Sequence, residues 1–125
     1  MACILLVEDD ANVRLLLEHV LRGEGHDVDP VATMQQALSR LQQRGYDLVV
    51  ADGKLPDGTG MTVGDAATAE GVKTLIITGF ALQLPREELM RFDYLLKPVR
   101  PAELIKAIDR KLASAAPPAP APAPQ

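Results

Sequence analysis

The stretch KTLIITGF, residues 73–80, leaves an apolar run directly through a threonine and a glycine. ILLVEDD (4–10), DLVVADG (47–53) and DYLLKP (93–98) end their own apolar runs in the same manner, on acids or on a lysine. Short runs without polar interruption read as strands buried on both faces, as in a parallel sheet covered by helices. The carboxyl ends of such strands share one edge, and ligands bind in the crevice there. Glu8, Asp9, Asp52, Thr78 and Lys97, scattered along the chain, are therefore expected to meet in one pocket.

Between these runs the hydrophobic period becomes helical. Val13, Leu16, Leu17, Val20 and Leu21 mark one helix face behind the candidate N-cap Asp10, and Met34, Ala37, Leu38 and Leu41 mark another. A weak strand is expected at 27–31, and a short helix at 60–69 that Gly64 weakens. REELMRF (86–92) reads as barely two helical turns behind Pro85, and the last helix starts near Pro101. The alternation predicts an α/β fold, a five-stranded parallel sheet with helices on both faces. Residues 1–112 form the expected domain, while ASAAPPAPAPAPQ (113–125) reads as an extended tail or linker.

Composition narrows the function. The chain has 125 residues, 47% of them apolar and 24% charged, with a net charge of −4. That acidic balance argues against direct nucleic-acid binding, and four aromatic side chains leave few platforms for stacking bases. No apolar run approaches the roughly 18 residues of a membrane span. MACILLV lacks the basic region of a signal peptide, and the single Cys3 cannot form an intrachain disulfide. A cytoplasmic location, with no membrane partner, is expected. His19 and His26 lack zinc-ligand spacing, and neither a dinucleotide fingerprint nor a Walker-A sequence occurs.

Three carboxylates in one pocket repel, by about 4 kcal/mol per pair at 4 Å and an effective dielectric of 20. A hard cation such as Mg²⁺ removes the conflict. Lys97 suits a phosphoryl oxygen, Thr78 offers a hydroxyl, and Asp52 could act as a nucleophile toward phosphorus. Taken singly, each has a plainer reading. Glu8 and Asp9 could be caps, Asp52 a turn residue, Tyr94 core, and Lys97 or Thr78 ordinary surface and strand-end residues.

Taken together, the acidic pair in LLVEDD, the aspartate of VVADGKLPDGTG, Thr78 in IITG, and YLLKP resemble the receiver domain of two-component response regulators, the CheY-like family. The family pattern of aspartate, proline and glycine falls on Asp52, Pro56 and Gly60. The resemblance implies a flavodoxin-like, doubly wound sheet in the order 2-1-3-4-5, here with shortened third and fourth helices. It implies a phosphoacceptor Asp52, Mg²⁺ held by Glu8, Asp9, Asp52 and the Lys54 backbone carbonyl, and Lys97 and Thr78 on the phosphoryl oxygens. Thr78 and Tyr94 would form the switch, and the Lys97–Pro98 peptide would be cis.

The implied partners are a sensor histidine kinase or a histidine phosphotransfer protein, with an unassigned downstream target. The implied role is that of a phosphoacceptor, stand-alone as a relay or phosphorylation-gated binder, rather than an enzyme. Aspartate-nucleophile phosphatases place a second acid where this chain has Lys54. The alternative is a phosphorylation-independent pseudo-receiver that serves as an interaction module.

Overall fold

The computed structural model describes residues 2–79 and 84–114; Phe80 and the tail from residue 115 lie outside them. The chain runs β1 (Cys3–Val7), α1 (Ala11–Gly23), β2 (Asp27–Val31), α2 (Met34–Gln43), β3 (Leu48–Asp52), β4 (Lys54–Leu55), β5 (Gly58–Thr59), α3 (Gly60–Ala69), β6 (Lys73–Thr78), α4 (Arg86–Leu89), β7 (Asp93–Leu96) and α5 (Pro101–Ala113). Five strands pair in parallel in the order β2-β1-β3-β6-β7, while β4 and β5 form a separate antiparallel hairpin. With that hairpin set aside, the order is the expected 2-1-3-4-5.

Alternate residues of each central strand enter opposite cores, because side chains alternate across a sheet. Leu5, Val7, Val49, Ala51 and Ile76 pack with Ala37, Leu41, Met61, Val63 and Leu89, under α2, α3 and α4. Ile4, Leu6, Leu48, Val50, Leu75 and Ile77 pack with Leu17, Leu21, Leu104 and Ile108, under α1 and α5. This two-sided burial is why the central runs are apolar through their middle and end on a polar residue, with Thr74 near the start of β6 the exception.

Local chemistry sets the helix ends. Asp10 caps α1, its carboxylate accepting from the Asn12 and Val13 backbone N–H groups at 2.9 and 3.0 Å. Gly25, at φ 87°, turns the chain from α1 into β2 in a conformation that favours glycine. At the far end, Lys73 Nζ donates to the carbonyls of Leu112 and Ser114 at 3.2 and 2.6 Å, fastening the end of α5 to the first residue of β6.

Four expectations need correction. Leu16 is 54% exposed, because Leu17 and Leu21, flanked by the partly buried Val13 and Val20, fill the packed stripe of α1. α4 closes after one turn at Leu89, not two, and Phe92 folds back against α3. Gly64 makes room for that ring: a Cβ there would stand 2.7 Å from Phe92 Cε1. Cys3, whose place inside a strand reads from sequence as that of a small hydrophobe, is not purely apolar, since its sulfur accepts from Arg44 Nη2 at 2.9 Å. Tyr94 is 37% exposed on the edge strand β7 rather than core.

Candidate functional site

The carboxyl ends of β1, β3, β6 and β7 deliver the expected residues to one edge. Asp52 is the last residue of β3, Thr78 the last of β6, and Lys97 directly follows β7. Lys97 Nζ donates to Glu8 Oε1 at 2.7 Å and to Asp52 Oδ2 at 3.0 Å. The backbone N–H of Asp10 donates to Glu8 Oε2 at 3.1 Å, so both Glu8 oxygens are engaged. Asp52 Oδ1 accepts from the Lys54 N–H at 3.3 Å.

Glu8 is 1% exposed, Asp52 6% and Thr78 fully buried, whereas Asp9 is exposed. Solvent therefore reaches the cluster on the Asp9 side, and Lys97 lies over Asp52 with about a quarter of its side chain exposed. Burial pushes the Glu8 carboxyl above its usual range, against the opposing pull of the Lys97 ammonium. Burial works to lower Lys97, but its hydrogen bonds to Glu8 and Asp52 raise it on balance. Two buried carboxylates thus share one cation. Negative charge is in excess.

That excess is a test of cation binding. Glu8, Asp9 and Asp52 each bring a carboxylate oxygen within 4.8 Å of the others. A small set of hard oxygen donors beside open solvent fits Mg²⁺, which keeps part of its water shell. Glu8 and Asp52 each already accept a hydrogen bond on both oxygens, so an entering cation meets the exposed Asp9 first and competes with Lys97 and the Lys54 N–H for Asp52.

Two glycines keep the floor of the pocket close. A Cβ on Gly60 would run into the Asp52 carbonyl oxygen, and one on Gly53 would stand 3.1 Å from Thr78 Oγ1. The Lys97–Pro98 peptide is cis, and the Lys97 N–H donates to the Thr78 carbonyl at 3.0 Å. Tyr94 sits two residues before Leu96, the register partner of Thr78.

Comparison with known proteins decides the family. The sequence profile of the response regulator receiver domain matches residues 4–109. The chain belongs to the response-regulator receiver family. This receiver is 32% identical over 114 residues to an uncharacterized 14.6 kDa protein of Leptolyngbya boryana, covering 86% of this chain and 87% of that one. It is 34% identical over 116 residues to the DNA-binding response regulator MtrA of Mycobacterium tuberculosis, covering 87% of this chain and 50% of MtrA. The receiver thus spans half the length of that relative.

Among solved structures, the receiver domain of sensor histidine kinase PA1611 from Pseudomonas aeruginosa superposes with a TM-score of 0.81 at 32% identity, covering 90% of this chain and 98% of that one. That structure holds a magnesium ion coordinated in its active site cleft. TrrA of Thermotoga maritima, solved in complex with Mg(2+)-BeF, gives a TM-score of 0.80 at 26% identity, covering 88% of this chain and 98% of TrrA.

Two residues around the receiver's pocket carry no local signal in the sequence. Arg14, one turn into α1, donates to the carbonyls of Glu8 at 2.8 Å and Asp9 at 3.4 Å, holding the acidic pair from behind. Asp57, at the tip of the β4–β5 hairpin, reaches across to α2. An acid in a glycine- and proline-rich turn is ordinary turn chemistry, and its contact lies more than twenty positions away.

Proposed function

We propose that this receiver accepts a phosphoryl group on Asp52 from a phosphohistidine of a sensor histidine kinase or phosphotransfer protein. The observation that carries the reading is the Lys97 bridge between Glu8 and Asp52, beside the exposed Asp9. An Asp52 oxygen forms the bond to phosphorus as the P–N bond to the donor imidazole breaks, and the imidazole leaves with the electron pair. Lys97, already 3.0 Å from Asp52, is placed to follow the new phosphoryl oxygens with its ammonium. Thr78 takes another phosphoryl oxygen by its hydroxyl.

Asp9 and Asp52 would hold Mg²⁺ directly, with the Lys54 carbonyl, while Glu8 acts through water. The bound ion would screen the two approaching anions and steady the charge of the transition state. Movement of Thr78 toward the phosphoryl group, followed by Tyr94 on β7, is the switch in this reading. The function is a cytoplasmic signalling switch rather than metabolic catalysis; the receiver, expected to end at residue 112, runs on through Ala113 at the end of α5 and its cap Ser114, with the linker or tail after it. Among the described residues no helix is long and apolar enough to cross a membrane.

The decisive experiment incubates the chain with Mg²⁺ and an acyl phosphate, followed by intact mass and peptide mapping. A single base-labile phosphate on Asp52, absent from Asp52→Asn and suppressed by EDTA, is the expected result. If neither the acyl phosphate nor a phosphorylated histidine kinase modifies the chain, the pocket serves a phosphorylation-independent interaction module instead.

A further inference from the structure

The hairpin that follows Asp52 is fastened to a helix on the far side of the loop. Asp57 Oδ1 accepts from the Met34 N–H at 2.8 Å, and Oδ2 from the Gln35 N–H at 3.0 Å. These are the first two backbone donors of α2, groups that have no partner within their own helix. The third, on Gln36, is met by the ordinary N-cap Thr33 at 3.1 Å. α2 is thus capped twice, once by its own residue and once by a carboxylate from a different loop. The neighbouring Gly58 packs directly on the Met34 sulfur, where a side chain would not fit.

The other end of the hairpin touches the reacting carboxylate. Lys54 pairs with Thr59, and Leu55 with Gly58, across the two short strands. The Lys54 N–H donates to Asp52 Oδ1, while Lys97 holds Oδ2. The Gly60 N–H closes the loop onto the Gly53 carbonyl at 3.1 Å. A two-residue ladder is too short to be rigid by itself. Its tip is held by α2, and its base sets how the Asp52 carboxylate and the Lys54 peptide face the pocket.

We propose that Asp57 is a positioning residue for the phosphoacceptor loop: by anchoring the hairpin tip to the start of α2, it fixes the Lys54 peptide against Asp52. The anchor works because two charge-assisted hydrogen bonds at a helix start are directional and mutually reinforcing. Asp57 does not touch the reacting atoms. It acts through the hairpin, and the inference rests on the phosphoacceptor reading of Asp52.

The test compares the full chain with Asp57→Ala and Asp57→Asn, by amide hydrogen exchange and by Mg²⁺ titration followed through the amide shifts at Asp9 and Asp52. In Asp57→Ala, exchange at Met34 and Gln35 should quicken about tenfold. The Lys54 amide should quicken as well, and the Mg²⁺ midpoint should rise about threefold or more, with the saturated spectrum unchanged. Asp57→Asn, which keeps one acceptor, should fall between; it also carries the comparison if the alanine variant fails to fold. Faster exchange at Met34 and Gln35 alone, with the Lys54 amide and the Mg²⁺ midpoint unmoved, reduces Asp57 to a helix cap and overturns the proposal. A wild-type chain that ignores Mg²⁺ overturns the phosphoacceptor reading instead, and the Lys54 amide then decides the tether.

Discussion

Lys97 Nζ stands 2.7 Å from Glu8 Oε1 and 3.0 Å from Asp52 Oδ2, so a single ammonium joins the ends of the first and third strands. Removing it takes from both buried carboxylates the ammonium they share. Lys97→Ala should lower stability by about 2–3 kcal/mol, less than a fully buried broken pair because the lysine head is partly solvated. Urea denaturation measures the loss. Millimolar Mg²⁺ should recover part of it, since a bound cation restores the missing charge.

Phe92 and Arg91 both tie the segment after α4 to α3, by different means. Arg91 forms a two-pronged ion pair with Asp65, at 2.6 and 3.3 Å, with both side chains about half exposed. Phe92 fills the space above Gly64 and joins the core. Arg91→Ala should cost less than about 1 kcal/mol. Phe92→Ala should cost about 2 kcal/mol, because burial outweighs an exposed charge pair. Thermal melts of the two variants rank them directly.

Thr74 is 4% exposed, and its hydroxyl has no hydrogen-bond partner among the described residues. An unmet buried hydroxyl is a net cost. Thr74→Val, which keeps the shape and removes the polar atom, should stabilise the chain by about 1 kcal/mol in denaturant titration. A loss of stability of similar size would show that the hydroxyl is satisfied in solution.

Burial first, and then the 2.7 Å hydrogen bond to Asp29, push the Tyr46 hydroxyl up to about 12. The folded pKa lies above the ordinary value near 10. The contribution is therefore intact below pH 10 and is lost as pH climbs toward 12. Stability should fall by about 2–3 kcal/mol across that window, and Tyr46→Phe should flatten this part of the profile. Phenolate absorbance of the folded chain, compared with Tyr46→Phe, reports the midpoint.

The strand ends were legible because a sheet covered on both faces keeps the middle of each central strand apolar, which leaves Glu8, Asp52, Thr78 and Lys97 conspicuous at the carboxyl edge. The β4–β5 hairpin was not, since strands of two residues have no period to detect. Leu16 follows the helical spacing yet stays exposed, because which apolar residues on a helix are covered depends on the width of the neighbour. The second turn expected for α4 fails at Met90, where the chain must turn for Phe92 to reach Gly64, a contact that only tertiary structure reveals. The holds exerted by Arg14 and Asp57 were equally hidden: both are side chains reaching backbone groups outside any repeating pattern.

The clasp between Lys73 and the end of α5 also fixes a direction. Lys73 opens β6 and Thr78 closes it, so the clasp and the pocket lie at opposite poles of one strand, five peptide steps apart. That is on the order of 17 Å of extended backbone. The described chain therefore ends, at Ser114, at the pole opposite Asp52.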